Sequence, residues 1–122
     1  MTIREVIETV DRLKPNTYSD RDKLRWLGEL ETLVREQITG LYEKNEEPVA
    51  GFDETAGKDT ALTAPAPYDQ MYLRYLEAQI DYHNAEYDRY NNAIALFQAV
   101  FDSYRNACAR GNLSKPVTFR YF

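Results

Sequence analysis

The sequence predicts an all-α fold, and two observations carry that prediction. Apolar side chains recur at helical spacing in three separate stretches, each preceded by residues that suit the start of a helix. Only the last residues of the chain alternate like a β-strand. We therefore expect one domain of three main helices with a short strand-like C-terminal arm. Its predicted parts are an N-terminal helical pair (1–42), a long acidic loop (43–67), a long helix (68–110) and the arm (111–122).

Local signals delimit the first two helices. Thr2-Ile3-Arg4-Glu5 has the form of a capping box, in which two side chains satisfy free N–H groups of the first turn. Lys14-Pro15-Asn16 ends this helix, and Ser19 begins the next. Trp26 lies off the apolar stripe of the second helix, so it either packs on the first helix or contacts a partner.

The predicted helix over 68–110 contains neither Gly nor Pro. One stripe follows it at a mean spacing of 3.6 residues: Tyr72, Leu76, Gln79, His83, Tyr87, Tyr90, Ile94, Phe97, Phe101, Tyr104 and Cys108. A continuous or merely kinked helix is the prediction. The alternative is a break near Asn84 or Asn91, because asparagine is a mediocre helix former. The stretch 93–101 is apolar on nearly every side, so we expect it to be buried on several sides.

Composition argues against several classes of protein. The net charge of −5 disfavours binding to phosphate backbones, so we expect no sequence-specific nucleic acid partner. No apolar run approaches the length of a membrane-spanning helix, and no signal-peptide pattern opens the chain. The single cysteine excludes an internal disulfide and fits a reducing cytosol. We expect a protein of the cell interior that has no membrane partner.

No constellation of catalytic residues stands out, and we expect neither an enzyme nor a cofactor. His83-x-x-Glu86 would place two candidate metal ligands on one helical face, with Asp81 and Tyr87 nearby. Carboxylate-bridged metal sites in helical bundles need two Glu-x-x-His motifs, so we predict a polar helix surface here and no metal. Cys108 lies on the apolar stripe without a second histidine to activate it, and we interpret it as a buried thiol.

Aromatic residues are the best candidates for binding. The chain has ten tyrosines, and its last eight residues combine aromatic, apolar and basic side chains without an acid. Large amphipathic side chains are typical of subunit contacts, and an unpaired strand at a chain end is typical of an exchanged arm. The arm either docks on a neighbouring subunit or folds back on its own domain. The predicted interface residues are Trp26, Tyr87, Tyr90, Val117, Phe119, Tyr121 and Phe122.

Two stretches of the chain together resemble a known group of proteins. The first contains Arg4–Ile7, Lys14–Asn16, Tyr18–Asp20 and Lys23–Leu27. The second contains Pro65–Asp69, Tyr72, Tyr75, Leu76, Gln79–Tyr82 and Arg89–Asn92. The chain is similar in these stretches to small proteins encoded in the head-to-tail gene region of tailed bacteriophages and prophages. It resembles, more loosely, their all-α head–tail connector proteins. The acidic loop and the C-terminal arm lie outside the resemblance.

The resemblance implies a structural role in virion assembly. It implies a ring of identical subunits that docks beneath the portal, joins portal to tail and extends the DNA channel. Its partners would be the portal and neighbouring head–tail proteins. It would be found in the virion, and in the host cytoplasm during assembly. The alternative is a non-enzymatic helical module that regulates or scaffolds one partner protein.

Overall fold

Four α-helices make up most of the described chain. The computed structural model describes residues 1–39 and 59–110. Its helices are α1 (Ile3–Leu13), α2 (Asp20–Val34), α3 (Gln70–His83) and α4 (Tyr87–Ala109), and one turn of π-helix (Arg35–Thr39) continues α2. The described ranges contain no β-strand beyond one isolated antiparallel bridge, Thr2 to Ala61. The all-α fold is confirmed.

The predicted starts of the first two helices are also confirmed. Thr2 and Glu5 form the capping box of α1, each side chain bonding the other residue's backbone N–H. The Ser19 hydroxyl accepts a hydrogen bond from the N–H of Asp22 and begins α2. In both cases a polar side chain satisfies an N–H group that the first helical turn leaves without a backbone partner.

The prediction of one helix over 68–110 is wrong, and the alternative of a break at Asn84 is confirmed. Asn84, Ala85 and Glu86 separate α3 from α4, with Ala85 in the left-handed region at a φ of 60°. The two helices then run antiparallel. Aromatic contacts show this register, since Tyr82 meets Tyr90, Tyr75 meets Phe97, and Tyr68 meets Tyr104, with ring centroids 5.2–5.4 Å apart.

The core lies around α3, which packs against all three other helices. Each helix contributes fully or nearly fully buried apolar side chains to it, among them Val6, Leu27, Leu76 and Phe97. Burying this surface is the main source of stability in a domain of this size. The stretch 93–101 is only partly buried: Ala93, Phe97 and Phe101 are inside, whereas Leu96 is 50% exposed. The expectation of burial on several sides is therefore wrong: among the described residues, this helix packs mainly against α3 and the π-helical turn after α2.

Residues 59–64 return the chain to the core beside the start of α1. The N–H of Ile3 donates to the carbonyl of Thr60 (3.1 Å), and the N–H of Leu62 donates to the carbonyl of Met1 (3.0 Å). Leu62 and Ala64 are buried. The segment before α3 is thereby held against α1 by backbone hydrogen bonds, which position the hairpin of α3 and α4 against the rest of the molecule.

Candidate protein-interaction surface

Exposed aromatic side chains gather where α3 turns into α4. We call Tyr82, His83, Tyr87 and Tyr90 the aromatic tip. Tyr82 is 51% exposed and Tyr87 is 57% exposed, and these two are among only four large apolar side chains that the described residues expose. The Tyr82 ring contacts the three other members at 5.4–6.0 Å between ring centroids. The tip is one continuous surface because its rings touch one another.

Two kinds of aromatic contact, a stack and an edge contact, hold the tip against Trp26 of α2. The His83 ring stacks on Trp26, with centroids 5.3 Å apart and planes 11° from parallel. Tyr18 meets the edge of Trp26 at 5.7 Å, and its hydroxyl donates to the side-chain carbonyl of Asn84 (2.7 Å). These contacts tie the turn to α2 and to the segment before it, so the aromatic tip is held in one position.

The predicted interface residues differ in their exposure, and some of them lie outside the described residues. Tyr87 is exposed and Tyr90 is half-buried, and both belong to the aromatic tip. Trp26 is only 4% exposed, so it supports the surface and offers almost no area to a partner. Its aromatic partners are Tyr18 and His83. The remaining predicted residues, Val117, Phe119, Tyr121 and Phe122, lie outside the described residues.

A shallow depression lies between the end of α1, α3 and α4. Its volume is about 300 Å³, and Leu13 and Leu96, which are 58% and 50% exposed, contribute to its lining. We call it the leucine groove; it is lined by Leu13, Lys14, Glu77, Asp81, Arg89 and Leu96, together with Asn92 and Ala93. Asp81 is almost fully buried and pairs with Lys14 at 2.9 Å. Sequence reasoning missed this groove because Leu13 and Leu96 belong to helices distant in sequence.

A buried carboxylate on α2 organises the segment before α3. Glu31 is 2% exposed, and its Oε2 accepts hydrogen bonds from both the N–H and the hydroxyl of Thr63. Its Oε1 accepts from the Tyr72 hydroxyl (2.8 Å), which in turn accepts from the N–H of Ala64 (3.0 Å). Within the described part of the chain, the partners of Glu31 are neutral donors. The network is therefore a structural link between α2, α3 and residues 63–64.

Burial raises the pKa of the Tyr72 hydroxyl well above its usual range, and the negative charge of Glu31 adds to the effect. Burial also raises the pKa of Tyr75, with a further contribution from Glu29. Both phenols keep their protons at any physiological pH. Tyr72 is thus a permanent donor to Glu31, as a structural role requires. The position of Glu31 on α2 carries no signal in the sequence that would predict this network.

The candidate metal ligands do not share a helical face. His83 is the last residue of α3 and Glu86 precedes α4, so the turn separates them. Asp81 lies on the other side of α3, in its pair with Lys14. The spacing argument fails because it assumed an unbroken helix. Within residues 1–39 and 59–110, no three side chains of the metal-ligating types gather into a group. Cys108 is buried, as predicted.

No protein-family model, no curated protein and no solved structure matches the chain. Among the described helices, none is both long enough and apolar enough to span a membrane. The candidate site is therefore defined by the geometry of the chain alone. It consists of the aromatic tip and the leucine groove, which between them hold all four exposed large apolar side chains of the described residues.

Proposed function

We propose that this chain is a structural assembly protein that acts by binding other proteins through the aromatic tip. The main support for the proposal is the exposure of Tyr82 and Tyr87, which flank a turn that Trp26 and Tyr18 hold in place. Tyrosine buries a large area at low entropic cost, and a surface held in place before binding loses little further freedom. Half-exposed, supported tyrosines are typical of residues that dominate binding energy.

We further propose that the assembly is the head–tail junction of a tailed phage or prophage. The resemblance described above supports this role, and it covers residues of α1, α2, α3 and the first turns of α4. In such a role the chain forms a ring and docks beneath the portal protein. A net charge of −5 suits the wall of a channel through which DNA slides without adhering.

A non-enzymatic module that binds one regulatory or scaffold partner would use the same aromatic tip. The two roles differ in their genetic setting and in stoichiometry. Portal and capsid genes beside the gene for this chain favour the connector, and their absence favours the module. A ring of many identical copies likewise favours the connector.

Binding to the portal protein of the same genome tests the proposal. The double variant Tyr82→Ser, Tyr87→Ser removes most of the exposed aromatic area, and we expect it to bind at least tenfold more weakly. The matched control is Gln98→Ser with Asn106→Ser, two exposed positions of α4 away from the tip. Affinity is measured by surface plasmon resonance, and circular dichroism checks that both variants fold. Undiminished binding by the tip variant would contradict the proposal.

A further inference from the structure

The leucine groove suits apolar side chains better than a charged ligand. Each charged group in its lining already has a partner of opposite charge in the same chain. Lys14 pairs with Asp81 at 2.9 Å, Glu77 with Arg74 at 3.1 Å, and Arg89 with Glu86 at 3.7 Å. What the groove leaves unpaired is the apolar surface of Leu13 and Leu96, about half of which faces solvent. Covering that surface is favourable at roughly 25 cal/mol per Å².

The chain itself contains a segment of matching chemistry. Residues 111–122, outside the described ranges, include Val117, Phe119, Tyr121 and Phe122. They also hold two of the fifteen basic residues and none of the twenty acidic ones. An apolar segment with a net positive charge complements a body whose charge is negative.

The segment is long enough to reach a groove on an adjacent molecule. Twelve residues follow Arg110, and an extended chain covers about 3.3 Å per residue, or roughly 40 Å in total. Leu96 precedes Arg110 by fourteen residues on α4, a distance of about 21 Å along the helix axis at ~1.5 Å per residue. A groove on a neighbouring copy that packs within about 40 Å of Arg110 is therefore within reach of the segment.

We propose that the C-terminal segment of one copy occupies the leucine groove of a second copy, an inference that rests on the proposed assembly role. Aromatic side chains of the segment cover Leu13 and Leu96, while Lys115 and Arg120 face the acidic surface of the neighbour. The segment and the groove are different surfaces. Each copy therefore donates its segment to one neighbour and accepts the segment of another, so the same contact repeats from copy to copy. Repetition of such a contact closes into a ring or continues as a filament.

Complementation between two full-length variants tests this contact. Leu96→Glu places a charge in the groove, and Phe119→Ser with Tyr121→Ser weakens the segment. We expect each variant alone to associate at least tenfold more weakly than the wild-type chain, as measured by light scattering with size-exclusion chromatography. A mixture of the two still contains one intact groove and one intact segment, so we expect heterodimers. The matched control is Gln98→Glu, the same charge on an exposed position two residues away, and it should associate like the wild type.

Circular dichroism establishes that Leu96→Glu folds, and Leu13→Glu provides a second groove variant if it does not. The inference is overturned if the groove variants associate like the wild type, or if the mixture stays monomeric. It is also overturned if wild-type chains stay monomeric yet bind the portal, and in that case the assembly role stands. A wild-type chain that neither associates nor binds the portal overturns the assembly role and this inference together.

Discussion

The two ends of the hairpin formed by α3 and α4 use tyrosine in opposite ways. At the base, Tyr72 is fully buried and its hydroxyl is hydrogen-bonded to Glu31. At the tip, Tyr82 and Tyr87 belong to the same pair of helices but are more than half exposed. The difference arises from what surrounds each end: Tyr72 is enclosed and bonded by Glu31 of α2 and by Ala64, whereas at the tip α2 covers His83 through Trp26 and leaves Tyr82 and Tyr87 exposed. Residue type alone therefore does not distinguish a core aromatic from an exposed one.

The largest contrast between the two ends should appear in the free energy of unfolding. Phe97→Ala removes a ring that is 5% exposed and that packs against Tyr75 and Phe101. We expect a loss of roughly 3–5 kcal/mol, the usual cost of a cavity left by a buried aromatic. Urea unfolding measures it, with Tyr87→Ala as the exposed counterpart, expected to lie within about 1 kcal/mol of the wild type. Equal losses in both would remove the distinction between base and tip.

Removing a single tyrosine hydroxyl at each end compares the base and the tip of the hairpin through a smaller change. Tyr72→Phe leaves an oxygen of buried Glu31 and the N–H of Ala64 without their partner. We expect a loss of about 1–3 kcal/mol, because buried polar groups without partners are costly. Tyr82→Phe removes an exposed hydroxyl and should change stability by less than about 0.5 kcal/mol. Chemical unfolding of both variants would show whether the Glu31 network carries this energy.

Because the Tyr72 hydroxyl is buried, we expect the free energy of unfolding to depend on pH in the alkaline range. The pKa of Tyr72 is raised in the folded chain above its ordinary value of about 10. The unfolded chain therefore releases this proton first, so stability is fully present below pH 10 and decreases above it. The slope is up to about 1.4 kcal/mol per pH unit for this group. Unfolding at pH 9–11 should show a shallower decrease for Tyr72→Phe, and an unchanged slope would contradict this origin.

A substitution in the turn between α3 and α4 tests the helix break by whether stability rises or falls. Ala85 has a φ of 60°, a region that costs an L-residue about 1 kcal/mol and costs glycine nothing. Ala85→Gly should therefore leave stability unchanged or raise it by up to about 1 kcal/mol. In an unbroken helix the same substitution would lower stability by about 1 kcal/mol. Thermal unfolding distinguishes the two, and Ala95→Gly within α4 is the control in which the loss is expected.

The smallest expected effect concerns metal ions at the tip. His83 stacks on Trp26 and is separated from Glu86 by the turn, so Zn²⁺, Fe²⁺ or Mn²⁺ should not change the melting temperature. A ligand that binds only the folded state would raise it. Differential scanning fluorimetry with and without each ion measures the effect. A metal-dependent rise that disappears in His83→Ala would show that the tip binds a metal ion through His83.

Sequence by itself determined the elements whose causes are local. The capping box at Thr2, the cap at Ser19 and the end of α1 before Pro15 depend on residues within one or two turns, and each was predicted correctly. Burial of Phe97, Phe101 and Cys108 also followed from a stripe that one neighbouring helix covers. The all-α class needs no more than these signals, because helical spacing and caps are read within a short window.

Only the tertiary structure decided where the long stripe breaks and which of its members face solvent. One apolar stripe is compatible with a single helix and also with a hairpin of two helices. Asn84 is a mediocre helix former, so it allows a break at this position but does not require one. The hydrogen bond from Tyr18 to Asn84 and the stack of Trp26 on His83 hold the turn against α2, and both join residues far apart in sequence. The leucine groove and the Glu31 network arise in the same way. Contacts between distant residues have no local pattern, so the candidate interaction surface became visible only once the helices were packed.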